Sequence, residues 1–179
     1  MRASTFPTLL AAASLAVGCG DGAPGPTDSL EATVSVAFSR ADPTNGHTHL
    51  SGDEEVPARD TRAQGELKLA LSADGTSIAY RLIATNVDDI QQAHLHLAPA
   101  GENGSIVAWL YPDEPPAQLI PGRHTGILAE GEITELVGPM AGQEISDLWE
   151  EIQAGNIYGN VHTVRFPGGE IRGQVSSGG

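Results

Sequence analysis

The sequence predicts an all-β fold carrying one short helix. Three observations lead there. The 179 residues include 22 Gly and 12 Pro, and the 40% that are hydrophobic are rich in Val, Ile and Leu, which suits short strands joined by many turns. Apolar and polar residues alternate in several runs, the period of a strand with one buried face. A single stretch, near 144–154, has helical spacing instead.

In chain order, Val34, Val36 and Phe38 give a first alternating run. Leu67, Leu69 and Leu71, then Ile78, Tyr80 and Leu82, give two more, and the Asp74-Gly75 pair between them favours a tight hairpin turn. A strand is expected over 91–98, a turn over 99–104 and an apolar strand over 105–111. A proline-rich loop follows over 112–121, then a strand over 127–133. Ile145, Leu148, Trp149 and Ile152 fall at i, i+3, i+4 and i+7, and Gly155 is placed to end that helix. Two last strands, 156–164 and 169–176, flank Arg165-Phe166-Pro167-Gly168 and leave 177–179 as a tail. The length suits one domain, over 34–176.

Charge and cysteine content narrow the function. Asp and Glu total 23 against nine Lys and Arg, a formal charge of −14, so phosphate backbones repel the chain and nucleic-acid binding is excluded. No run reaches the ~18 apolar residues of a membrane-spanning helix. The lone Cys19 can form neither an intramolecular disulfide nor a thiolate zinc cluster. The N-terminus, with Arg2 and the apolar run 9–17, has the form of a secretory signal, and Leu15-Ala16-Val17-Gly18-Cys19 resembles a bacterial lipobox.

A signal peptide over 1–18, a lipidated Cys19 and a flexible tether over 19–33 are expected. The alternative is a free Cys beside an ordinary cleavage site. Acyl chains contribute ~0.8 kcal/mol per buried methylene, so the exported protein would be held at the membrane through its lipid anchor without crossing it. Gly20, where Asp would favour inner-membrane retention, points to the outer membrane, with the domain in the periplasm or facing outward.

Strand parity organises the polar residues. His94 and His96 share one face with Gln92, opposite Ala93, Leu95 and Leu97. Tyr158, Asn160 and His162 lie opposite Ile157 and Val161; Glu170, Arg172 and Gln174 lie opposite Ile171 and Val175. Two histidines at i and i+2 stand roughly 7 Å apart along a strand, near enough to share an ion. His94 and His96, joined by His162 from a neighbouring strand, would suit copper or zinc. The alternative is a solvated face whose His, Asn, Glu and Arg hydrogen-bond across strands.

His47 and His49 repeat the spacing, either extending a metal site or occupying an edge strand, the favoured reading, and His124 is expected on a surface loop. Asp53, Glu54 and Glu55, like Glu150 and Glu151, read as solvated acids. No nucleophile elbow or phosphate-cradling loop is present, so no catalytic residue is assigned and a binding role is favoured over an enzyme.

Three segments lift the chain above a generic β domain: 50–57, with Gly52, Glu55 and Pro57; 93–104, with His94 and His96; and 155–174, with Tyr158, Asn160, His162, Glu170, Arg172 and Gln174. In order and content they resemble the CHRD domain, named after chordin and found in many bacterial exported proteins. The resemblance spans about 46–174.

It implies an immunoglobulin-like or superoxide-dismutase-like antiparallel β-sandwich or barrel and an extracytoplasmic setting. The expected function is a membrane-tethered binding or structural module of the bacterial cell envelope, with an envelope or extracellular ligand of unknown identity. The alternative is a copper or zinc metalloprotein using His94, His96 and His162, with Tyr158, Asn160, Glu170, Arg172 and Gln174 on the ligand face. Dismutase activity is not expected: the disulfide cysteines and a His- and Asp-dense loop for a second metal are missing.

Overall fold

A computed structural model describes residues 45–178. The expected signal peptide, Cys19, the tether and the run Val34 to Phe38 lie outside the described residues. Within them the chain forms strands β1 (Asn45–Ser51), β2 (Gln64–Leu71), β3 (Ile78–Leu97), β4 (Ser105–Tyr111) and β5 (Ile120–Ile133). Helix α1 (Ile145–Gln153) and strands β6 (Ile157–Thr163), β7 (Ile171–Gln174) and β8 (Ser176–Ser177) complete it. Every strand pairing is antiparallel.

The order β2-β1-β7-β6-β3, closed by β2 pairing β3, makes a five-stranded barrel; β4 and β5 extend it from β3, and β8 from β1. The fold is therefore all-β with one helix among the described residues, as expected, and the helix falls where its apolar spacing placed it.

Closure depends on β3. Its first half pairs with β2 and β5 and its second with β4 and β6. Between the halves, Asn86 and Asp89 adopt left-handed φ of 58° and 53°. Asn and Asp tolerate that region better than other residues with a β-carbon. Register shifts against β5 occur at the same places, so the strand bends there without ending. The expected strands 78–82 and 91–98 are thus the two ends of one 20-residue strand.

Alternation fills the barrel: Leu67, Leu69, Leu82, Ala93, Leu95, Val161 and Ile171 are buried, and Glu66 and Lys68 are exposed. Leu148, Trp149 and Ile152 of α1 belong to the same core. Gly155 ends the helix with φ of 76°, which lets its N–H and that of Asn156 reach back to the Ile152 and Glu151 carbonyls.

Two local expectations need correction. His47 and His49 are exposed, but β1 is no edge strand: β2 pairs its full length and β7 and β8 take its other side. His124 lies within β5 opposite Val87, because β5 begins at Ile120 and runs through the segment read as loop. The β2–β3 hairpin forms where Asp74-Gly75 placed it, and its turn covers 72–77. Asp74 Oδ1 accepts from Ser72 Oγ, Thr76 N and Thr76 Oγ1, and Gly75 takes φ of 74°, so side-chain bonds build a wider turn than Asp-Gly alone implies.

Candidate functional site

The antiparallel register of β3 and β6 sets His94 opposite Asn160, His96 opposite Tyr158 and Gln92 opposite His162. On the next strand Arg172 is opposite Asn160 and Gln174 opposite Tyr158. The polar residues thus share the barrel's outer face, as parity requires. That face is not solvated, contrary to one of the two readings: His94 is 0% exposed, His96 and His162 7%, Asn160 3% and Arg172 1%. Segments far apart in sequence contribute the atoms that meet these side chains.

The ring nitrogens have defined neighbours. His96 Nδ1 is 3.0 Å from the Gly104 carbonyl oxygen and His162 Nδ1 is 3.0 Å from that of Pro167. A carbonyl only accepts, so in each neutral ring Nδ1 carries the proton and Nε2 keeps a lone pair. Both Nε2 atoms then face the same atom, Asn160 Oδ1, at 3.1 and 3.0 Å.

The His94 ring packs edge-on against those of Trp109, His162 and His96, at centroid distances of 4.5, 4.8 and 5.4 Å. Neither of its nitrogens has a hydrogen-bond partner. One ligand atom from each histidine can be chosen so that all three lie within 4.8 Å of one another, close enough for the trio to hold a metal ion.

Burial keeps the cluster neutral. It lowers His94 to about 3, helped by the neighbouring His162 and His96, while the Asn160 side chain acts the other way. It lowers His96 to about 4, with the Gly104 carbonyl opposing, and it lowers His162, with the Pro167 carbonyl opposing. Neutral imidazole is the form that ligates metals.

A second layer braces the rings. Tyr158 stacks on His96 at 4.7 Å with planes 2° apart, and the Arg172 guanidinium lies 3.4 Å from the Tyr158 ring centroid. Arg172 donates to the Glu102 carbonyl (2.6 Å) and to Asn103 Oδ1 (3.2 Å), which ties it to the 99–104 turn. Gly104 closes the arrangement, its N–H donating to Tyr158 OH and its carbonyl facing His96. A β-carbon at Gly104 would collide with the Leu97 carbonyl.

Of the residues expected on the ligand face, Tyr158, Asn160 and Arg172 therefore join the cluster. Glu170 and Gln174 do other work. Glu170 accepts from Thr61 Oγ1 (2.6 Å) and Thr163 Oγ1 (2.8 Å); Gln174 Nε2 donates to the Ala98 and Gly155 carbonyls.

Trp109 and Glu55 stand close to the cluster but were assigned no place in it from sequence. Trp109 carried no polar signal, although its register opposite His94 follows once β4 pairs with β3. Glu55, read as a solvated acid, is 5% exposed, whereas Asp53 and Glu54 are exposed. Desolvation raises its carboxyl to about 7 against the lowering influence of Arg172 and Arg59. Its Oε1 has no hydrogen-bond partner and crowds Gly169 together with Asn160 Nδ2. Its place in a family motif was the available signal.

No curated protein and no solved structure matches the chain significantly. A family model for the CHRD domain matches residues 29–175, most of the chain, and the protein therefore belongs to the CHRD domain family.

Proposed function

We propose that this is an exported, lipid-tethered CHRD binding module of the bacterial cell envelope, and that its ligand is a copper or zinc ion held by His94, His96 and His162. Family membership supports an extracellular-type binding or structural module. One observation carries the metal reading: His94 is fully buried between two other histidines and neither ring nitrogen has a partner. A buried polar atom left unpaired costs about 1–3 kcal/mol, and a metal bond removes that cost.

The backbone carbonyls on His96 and His162 supply what metal-bound imidazoles need, a fixed tautomer with the other nitrogen free to ligate. Zinc–nitrogen bonds of about 2.0–2.1 Å place tetrahedral ligands about 3.4 Å apart, so rings whose ligand atoms lie within 4.8 Å must close by at most about 1.4 Å. The tether rests on Cys19, and the charge of −14 favours cations near the domain.

Thermal unfolding with added Cu(II), Zn(II) and Ni(II) tests the metal reading. An ion at ~1,000 times its dissociation constant stabilises by about 4 kcal/mol, a rise of several degrees in Tm. The rise is expected with copper or zinc and should vanish in His96→Ala. Equal, small shifts in both proteins would refute it. Cys19→Ser is expected to release the protein from membranes in cell fractionation, and continued membrane association would refute acylation.

A further inference from the structure

We infer that Asn160 Oδ1 is a fourth ligand, so that the site is a closed set of three imidazole nitrogens and one amide oxygen. The inference rests on the three-histidine reading and adds an oxygen donor to it. Once Gly104 and Pro167 have taken the Nδ1 protons, His96 Nε2 and His162 Nε2 can only accept, and Asn160 Oδ1 can only accept. Three acceptors face one another at 3.0–3.1 Å with no proton between them. Next to them is His94, whose own nitrogens are unpartnered. A converging set of lone pairs in a buried space calls for a cation.

The spacing agrees. The two N···O separations are a few tenths of an ångström short of the ~3.4 Å edge of a tetrahedral zinc site, so Asn160 needs less adjustment than His94. The amide oxygen is the atom that faces the two histidines. With Oδ1 toward the histidines, Nδ2 lies on the side of Glu55 Oε1, an acceptor without a partner; both crowd the point where a Gly169 β-carbon would stand. Turned through 180°, the amide would instead present Nδ2 to both Nε2 atoms and its oxygen to the Glu55 side.

Two consequences follow. An amide oxygen is a hard donor, so the set prefers a divalent ion such as Zn(II) and discriminates against Cu(I). All four donors are nine-tenths or more buried, so the ion is enclosed and held rather than offered to a substrate.

Cobalt(II) substitution of the full chain is the test, with Asn160→Ala and the nearly isosteric Asn160→Asp compared with wild type. The expected wild-type spectrum has the intense visible bands of four-coordinate cobalt. Asn160→Ala should bind at least ten-fold more weakly, with bands that fall and shift as water enters. Asn160→Asp should restore four-coordinate intensity with displaced bands, and it carries the test if the alanine variant does not fold. Bands in Asn160→Asp and any folded Asn160→Ala identical to wild type would overturn the fourth ligand and leave the three-histidine site standing. Failure of wild type to bind cobalt or zinc at all would overturn both.

Discussion

At the scale of single residues, the cluster's protonation should govern how the metal-free protein responds to pH. His94 and His96 are lowered from 6.5 to about 3 and about 4, and His162 is lowered too. The unfolded chain takes up these protons as pH falls below 6.5 while the fold resists them. Their contribution is therefore full above 6.5 and is lost progressively toward pH 4 and 3. Glu55 acts in the opposite sense: raised from 4.5 to about 7, it favours the fold below 4.5 and loses that contribution as pH rises through 7.

Between pH 4.5 and 6.5 three rings outweigh one carboxyl. Stability should rise with pH there, by about 1.4 kcal/mol per unit for each net proton released. Urea unfolding at pH 5 and 6.5 measures this, and a flat or falling profile would contradict a buried neutral cluster. Gly169 offers a second check beside Glu55. Its φ of 113° is unfavourable for other residues, and a β-carbon there would collide with Glu55 Oε1. Gly169→Ala should cost about 1–3 kcal/mol in denaturant melts, and an unchanged midpoint would contradict the crowding.

At the scale of elements, the barrel is held by one bent strand and covered at the core by one helix. Leu148 of α1 is fully buried, so Leu148→Ala should destabilise by about 2–5 kcal/mol, measured by urea unfolding, while the exposed Glu150→Ala should change little. The helix was legible because its stripe of Ile145, Leu148, Trp149 and Ile152 is local. The polar face was legible for the same reason, since parity alone puts His94 and His96 on one side.

The continuity of β3 was not legible. The alternating runs at 78–82 and 91–98 stand apart in the sequence, and only pairing partners on both flanks show that Asn86 and Asp89 bend one strand between them. Burial of the histidine face was hidden too. The turns that follow the strands fold back on the rings through Gly104 and Pro167, and Asn160 meets His96 from a strand 64 residues away; period-2 patterning carries no information about such contacts.

At the scale of the whole molecule, an acidic barrel carries a buried, neutral cluster of imidazoles on its outer face. Among the described residues no helix is long and apolar enough to cross a membrane. Metal analysis of the purified chain after incubation with one equivalent of zinc or copper, followed by removal of free ion, is the decisive measurement on the three-histidine site. One ion per chain is expected in wild type and near none in the variant with His94, His96 and His162 all changed to alanine. Equal metal content in the two, whether high or near zero, would contradict it.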